Sequence, residues 1–156
     1  MVKAVSIIRE VGIVTVGGSG MMGAPGVAAK VFQTLGSNNV NVMMIPQGSS
    51  EATISCVVAN RDVDRAVRAL QLALMGQGYA DRIAEEKDSG IISVVGSGMK
   101  GTPGVATRIF TAVAKRKVNV RIVAQGSSEY NVSFVVSHKD GPEAVTAIHE
   151  EFNLGR

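Results

Sequence analysis

Tryptophan is absent from this sequence and cysteine occurs once, at Cys56. One thiol can build neither a disulfide framework nor a cysteine metal cluster within a chain. Cys56 lies in an apolar, alternating run and reads as a small core residue in a reducing compartment. Four phenylalanines and two tyrosines, scattered along the chain, are too few to offer stacking platforms for nucleobases. The net charge is +3, yet no run of like charge exceeds Lys115-Arg116-Lys117, which reads as a solvated helix end. Nucleic acid is therefore not an expected partner. No apolar segment reaches membrane-spanning length, and the opening MVKAVSIIRE lacks a signal-peptide core. A cytoplasmic globular protein with no membrane partner is the expectation, and apolar residues at 46% against 19% charged agree with it.

Catalytic groupings are equally scarce. No motif pairs His138 or His149 with a serine or cysteine nucleophile, and both are expected at the surface. Glu85-Glu86 and Glu150-Glu151 read as solvated edge or helix residues rather than an acid–base pair. Ser49-Ser50 and Ser127-Ser128 fall where turn chemistry favours serine. No catalytic residue, metal site or cofactor is assigned.

What the chain does have is a repeat. With a shift of 78 positions, Gly12 to Val58 matches Gly90 to Val136 without a gap and about half the positions are identical. GSGMMGAPGVAAKVF answers GSGMKGTPGVATRIF, and VNVMMIPQGSSE answers VNVRIVAQGSSE. Each copy opens on a strand (Gly12 to Val16; Gly90 to Val95) and turns through glycines into a helix. The helical spacing is carried by Val27, Ala28, Val31, Phe32 and Leu35, and by Val105, Ala106, Ile109, Phe110 and Val113. Pro25 and Pro103 fall at first-turn positions, with Thr102 as a candidate cap. A second strand (Val40 to Ile45; Val118 to Val123) passes through QGSSE into a third with Ile54, Cys56 and Val58 on one side, an antiparallel hairpin. A second helix follows, with Val63, Val67, Leu70 and Leu74 on one face, or Ala144, Val145, Ile148 and Phe152.

The first copy then has room for a fourth strand, Asp81 to Lys87, which the second copy lacks. The same shift sets Ala4 to Arg9 opposite Arg82 to Lys87, so the N-terminal strand is expected to complete the second unit. Each unit is βαββαβ, giving an α+β fold of two ferredoxin-like domains with antiparallel sheets, one inserted into the other. The expected bounds are 11–88 for the first and 4–10 plus 89–154 for the second. Units this small bury only about 60% of their unfolded surface, so packing together and dimerising is expected.

Gly18, Gly20 and Gly23 satisfy the G-x-G-x-x-G dinucleotide pattern. That reading needs a parallel sheet whose second strand ends in an acidic residue. Here the strand ends in Pro46-Gln47 and turns back, and no Gly-Lys-Ser/Thr closes either run for a nucleotide phosphate. Two uses of the glycines remain open. They permit a ligand-contacting turn whose helix N-terminus favours a carboxylate, or they simply let a strand enter a helix tightly.

GSGMxGxPGVA, a helix and NVxxxxQGSSE, present twice, resemble the paired ACT domains of the regulatory half of aspartate kinases, closest to threonine-sensitive enzymes. The likeness covers Val5 to Phe152 and includes the displaced first strand; kinase motifs are absent from these residues. The resemblance implies feedback inhibition of amino-acid biosynthesis, with an effector bound where ACT domains pair side by side. It implies homodimerisation through ACT sheets and a kinase catalytic domain as partner, in cis or in trans. The chain itself is then regulatory and not catalytic.

Carried over by motif, effector contacts fall on Ser19, Gly20, Met21, Met22, Gly23, Ala24, Pro25 and Gly26, with Asn41, Val42 and Gln47. A possible second site uses Ser97, Gly98, Met99, Lys100, Gly101, Thr102, Pro103 and Gly104, with Asn119, Val120 and Gln125. Gln47 and Gln125 correspond to the glutamine of threonine-responsive relatives, whose amide can read a hydroxyl. NVMMI and NVRIV hold no carboxylate for a lysine ammonium, which favours threonine over lysine. Met22 becomes Lys100 and Met43 becomes Arg121, so the first loop is apolar and the second cationic, and one strong and one weaker or structural site are expected; the resemblance implies that the first is the effector site. The methionines also suit core or interface filling. The competing reading is a purely structural dimerisation module; NAD chemistry and RNA binding are weaker rivals.

Overall fold

The computed structural model describes residues 2–18, 26–46, 53–96, 104–125 and 131–154. Its strands are β1 (Val2–Gly17), β2 (Val42–Met44), β3 (Thr53–Ala59), β4 (Arg82–Gly96), β5 (Val120–Gln125) and β6 (Asn131–Ser137). Its α-helices are α1 (Val27–Ser37), α2 (Val63–Leu70), α3 (Val105–Lys115) and α4 (Gly141–Phe152). The chain divides into an inserted unit, Glu10–Asp88, and a split unit made of Met1–Arg9 and Ser89–Arg156. β1 and β4 each pass from one unit to the other without a break in the strand. At both crossings stands a non-glycine residue in the left-handed region, Glu10 with φ 58° and Asp88 with φ 56°. These two positions are themselves 78 apart, so the local distortion is repeated along with the sequence.

In the inserted unit the strands run in the order β2-β3-β1-β4. β3 pairs antiparallel with β1, from Val11 opposite Ala59 to Gly17 opposite Thr53, and with β2 on its other side. Val14 and Val16 of β1 and Cys56 and Val58 of β3 face one way. They pack with Val27, Val31 and Leu35 of α1 and with Val63, Ala66 and Leu70 of α2. The helical positions follow the i, i+4 spacing that places them on one stripe. The expected alternation in β3 is only partly seen. Ile54 is half-buried, and Val57, on the opposite face from Cys56 and Val58, is fully buried beside its paired neighbour Ile13. The strand is therefore apolar on both faces toward its end.

The split unit repeats the plan with order β1-β4-β6-β5. Ile92, Val94, Phe134 and Val136 form its sheet face against Val105, Ile109 and Val113 of α3 and Ala144, Ala147 and Ile148 of α4. Phe110 meets Phe134 edge to face at 5.3 Å, a contact worth about 0.5–1.5 kcal/mol beyond its area.

The repeats fill one equivalent space differently. In the inserted unit a Cβ on Gly12 would stand 2.5 Å from Val63 Cγ2, so valine occupies the room that glycine leaves. In the split unit the counterparts are Gly90 and Gly141, and Ile7 fills the gap, its Cδ1 2.5 Å from where a Gly141 Cβ would lie.

The helix faces diverge as well. α3 and α4 are bridged by Arg108 to Glu151 and by Arg116 to both Glu143 and Glu150. Arg116 is thus a bridge, not only a solvated end. The inserted unit instead leaves an open groove of about 500 Å³ lined by Lys30, Thr34, Ala69, Leu72 and Ala73 among others. The sequence sets Val63, Val67, Leu70 and Leu74 on one face of the second helix. That helix ends at Leu70 and continues as a π-helical turn, Gln71–Met75, which buries Leu74 and leaves Leu72 81% exposed.

Candidate functional site

Ser19, Gly20, Met21, Met22, Gly23, Ala24 and Pro25 lie outside the described residues, as do Gln47 and, in the repeat, Ser97 to Pro103. Their supports are described. α1 starts at Val27 with Gly26 as its cap at φ 80°, and α3 starts at Val105 with Gly104 at φ 84°. Pro25 and Pro103 therefore precede the cap instead of occupying the first turn, and Thr102 is not the cap residue. Neither helix has a side-chain cap or an acidic residue in its first turn. The Gly26 and Gly104 carbonyls each accept the first helical hydrogen bond, from Lys30 and Arg108, at 2.9 Å. A Cβ at either glycine would meet nothing within 4 Å, so the demand for glycine is one of dihedral angle alone. Each helix thus begins without a side-chain cap or a first-turn acidic residue to offset the partial positive charge of its N-terminus.

The ladder decides which candidate residues can meet. Val42 stands opposite Val58, and Val58 stands opposite Gly12 near the start of the β1 segment of this unit. Met44 stands opposite Val57, after a register shift at Met43. β2 therefore runs in the direction of β1, toward the Gly18 end of the sheet, and Asn41 and Val42 lie at its far end. Within the unit, Met44 lies on the Gly18 side of Val42, and Asn41 and Val42 stand at the opposite end of the sheet from Gly18. Asn41 is exposed, Met43 on this edge strand is 40% exposed, and Ile45 just beyond it is 58% exposed.

β5 repeats the arrangement, with Val120 opposite Val136, a register shift before Ile122, and Gln125 opposite Val132. The arginine at the shifted position does not add charge to its glycine run. Arg121 Nη1 donates to the Ser89 hydroxyl at 2.7 Å, and Ser89 is buried seven residues before Gly96. That separation is about 23 Å of strand. Lys100 lies outside the described residues.

Two residues that sequence reasoning did not single out sit where β1 delivers the chain to the glycine run. The Asp81 N–H donates to the Gly17 carbonyl at 3.0 Å. A Cβ on Gly18, at φ 158°, would be 2.8 Å from the Asp81 nitrogen. A Cβ on Gly17 would be 2.9 Å from Nε, Cζ and Nη2 of Arg82, so the guanidinium lies flat over the bare Cα. Arg82 Nη1 reaches Asp81 Oδ1 at 3.4 Å, and both side chains are 63% exposed. The repeat-related positions are Val95-Gly96 and Lys3-Ala4. Gly17 and Arg82 thus change together to Val95 and Ala4, and comparing the copies pair by pair is the signal that would have found them.

Cys56 is buried, and burial pushes its thiol up to about 11. It is a core group and not a nucleophile. Among the described residues no three His, Cys, Asp or Glu side chains gather to hold a metal ion, and no helix is long and apolar enough to cross a membrane.

The ACT domain family model matches residues 14–74 and again 92–152. The chloroplastic bifunctional aspartokinase/homoserine dehydrogenase of Daucus carota is 36% identical over 158 residues, covering 99% of this chain and 17% of that protein. The chain thus spans about a sixth of that relative's length. The structure of the aspartate kinase regulatory subunit from Thermus thermophilus, in a ligand-free form, superposes with a TM-score of 0.82 at 29% identity, covering 97% of this chain and 99% of that one. Clostridium acetobutylicum aspartate kinase gives 0.88 at 27% identity, over 98% of this chain and 35% of that one. What the chain matches is the regulatory part of these enzymes, and their catalytic kinase part is not within it.

Proposed function

The chain belongs to the ACT-domain family, and from that premise we propose that it is an amino-acid-sensing module that imposes feedback inhibition on an aspartate kinase, with threonine as effector. The observation that carries this reading is the register of β2. Two copies joined antiparallel along their β2 edges would bring Asn41 and Val42 of one toward the Met44 end of β2 of the other, the end on the Gly18 side of the sheet. A site completed in this way is sensitive to how the two copies are arranged. An effector that prefers one arrangement shifts the population toward it.

The chemistry of the parts agrees with an amino acid. The unshielded first turn of α1 favours a carboxylate. The Gln47 amide both donates and accepts, as a threonine hydroxyl requires. No acidic side chain occurs from Asn41 to Gln47, where a lysine ammonium would need one. The inserted unit is the responding one in this reading, and the run from Ser97 to Gly104 with Asn119, Val120 and Gln125 is a weaker or structural site. The kinase acted upon is joined in the same chain or met as a separate subunit, in the cytoplasm.

Calorimetry of the folded chain with threonine, lysine, methionine and isoleucine tests the proposal, alongside sedimentation to establish the dimer. Heat with threonine, lost in Gln47→Ala while the dimer persists, is the expected result. A folded dimer that gives no heat with any of the four leaves only the structural dimerisation role.

A further inference from the structure

We infer that Arg82 is a specificity-determining residue of the inserted unit, receiving the α-carboxylate of the amino-acid effector, with Asp81 as its positioning residue. This rests on the effector-binding reading above and assigns a residue to it outside the glycine run and the QGSSE turn.

The placement of Arg82 is built rather than incidental. Its guanidinium lies on Gly17, the last residue of β1, with Nε, Cζ and Nη2 all 2.9 Å from where a Cβ would be. Any larger residue at 17 would lift it away. The backbone beneath is fixed by the Asp81 N–H on the Gly17 carbonyl at 3.0 Å, and by Gly18, whose missing Cβ makes room for the Asp81 nitrogen. Two bare Cα atoms are thus matched to two charged residues at the point where the chain enters the glycine run.

The charge on Arg82 is available. Its side chain is 63% exposed, and its ionic partner among the described residues is the neighbouring Asp81 at 3.4 Å. Charge-assisted bonds of this type close at about 2.7–2.9 Å, so the pair is a loose one that holds the guanidinium in place without saturating it. A free carboxylate can take two parallel N–H donors from the same fork.

The split unit provides the control. Its equivalent positions are Val95 where Gly17 stands, and Lys3 and Ala4 where Asp81 and Arg82 stand. Val95 is 40% exposed, with no arginine in the register to cover it. The copy that retains the glycine is the copy that has the arginine, which makes the inserted unit the one equipped to read a carboxylate.

The experiment is calorimetry on the full chain with L-threonine and L-lysine and with their carboxamides, for wild type, Arg82→Ala, Arg82→Lys and Asp81→Asn. Thermal unfolding of each variant checks the fold, which an exposed side chain should leave unchanged. Wild type is expected to prefer the free acid of the bound amino acid to its amide. Arg82→Ala should weaken the acid by about tenfold or more and leave the amide nearly unmoved, so that the preference collapses. Arg82→Lys should retain part of it and Asp81→Asn most of it. If Arg82→Ala binds the free acid as wild type does, or weakens acid and amide equally, this inference is overturned and effector binding stands. If wild type binds neither amino acid, both fall together.

Discussion

Asn60 and Asp88 hold each other twice: Asn60 Nδ2 donates to Asp88 Oδ1 at 2.8 Å, and the Asp88 backbone N–H donates to Asn60 Oδ1 at 3.0 Å. The pair clamps the residue at which β4 leaves the inserted unit, a residue held at φ 56°. Aspartate tolerates that region better than a branched side chain does. Asp88→Val should therefore cost about 2–3 kcal/mol, combining strain with the lost bonds, and Asn60→Ala about 1 kcal/mol. Glu10, at φ 58°, should respond in the opposite direction, with Glu10→Gly gaining up to about 1 kcal/mol. Urea unfolding of the three variants measures all of this.

Gly12 and Val63 are coupled by volume. Gly12→Ala places a methyl 2.5 Å from Val63 Cγ2 and should cost about 1–3 kcal/mol. Val63→Ala alone should also destabilise, by leaving a void in a fully buried site. The double variant should lose less than the sum, because each change relieves the other. Full additivity in a double-mutant cycle would contradict the packing described.

The capping glycines should fail for a different reason. With nothing within 4 Å of a Cβ, Gly26→Ala and Gly104→Ala suffer only the left-handed backbone, about 1–2 kcal/mol each. Asparagine, which accepts that region more readily, should cost less than alanine at both positions. Equal penalties for the two substitutions in chemical unfolding would point to crowding instead.

The duplicated strand, glycine turn, helix and hairpin are local patterns, so periodicity exposed the α+β class and both helix stripes. What periodicity misses is set by partners distant in sequence. Arg121 looks like a charge added to the second site until its bond to Ser89 turns it to the far end of the strand. Asn41 and Val42 look adjacent to the glycine run because a motif links them, and only the ladder separates them. Ile7 replacing Val63 as filler, and Arg82 lying on Gly17, depend on which Cα atoms are bare at which register. No single-strand pattern encodes that.

Cys56 gives a pH prediction. Its thiol is pushed up from 9.0 to about 11 by burial, so the folded state holds the proton more firmly. Below pH 9 both states are neutral there and nothing changes. As pH rises from 9 toward 11 the unfolded thiol ionises first, and stability falls by up to about 2–3 kcal/mol. The difference between wild type and Cys56→Ala, followed by denaturant unfolding from pH 8 to 11, isolates this slope. A thiol reagent at pH 8 should label the unfolded chain quickly and the native one only through opening.

The π-turn makes neighbouring leucines unequal. Leu74 is fully buried, and Leu74→Ala should cost about 2–5 kcal/mol. Leu72, 81% exposed, should change stability by no more than about 0.5 kcal/mol on the same substitution. Thermal or urea unfolding distinguishes the two, and comparable losses would mean that the turn is wound as ordinary α-helix.

The passage of β1 and β4 between units also sets an order of assembly during synthesis. Every element of the inserted unit is present once Asp88 has been made. The split unit includes Val2 to Arg9, made before the inserted unit, and this half of β1 must wait some eighty residues for its β4 partner and longer still for α4. The inserted unit can then fold as a nearly local structure, while its partner carries the long-range contacts that slow folding. A nascent chain stalled past Asp88 should already resist proteolysis from Glu10 onward and still be cut between Val2 and Arg9.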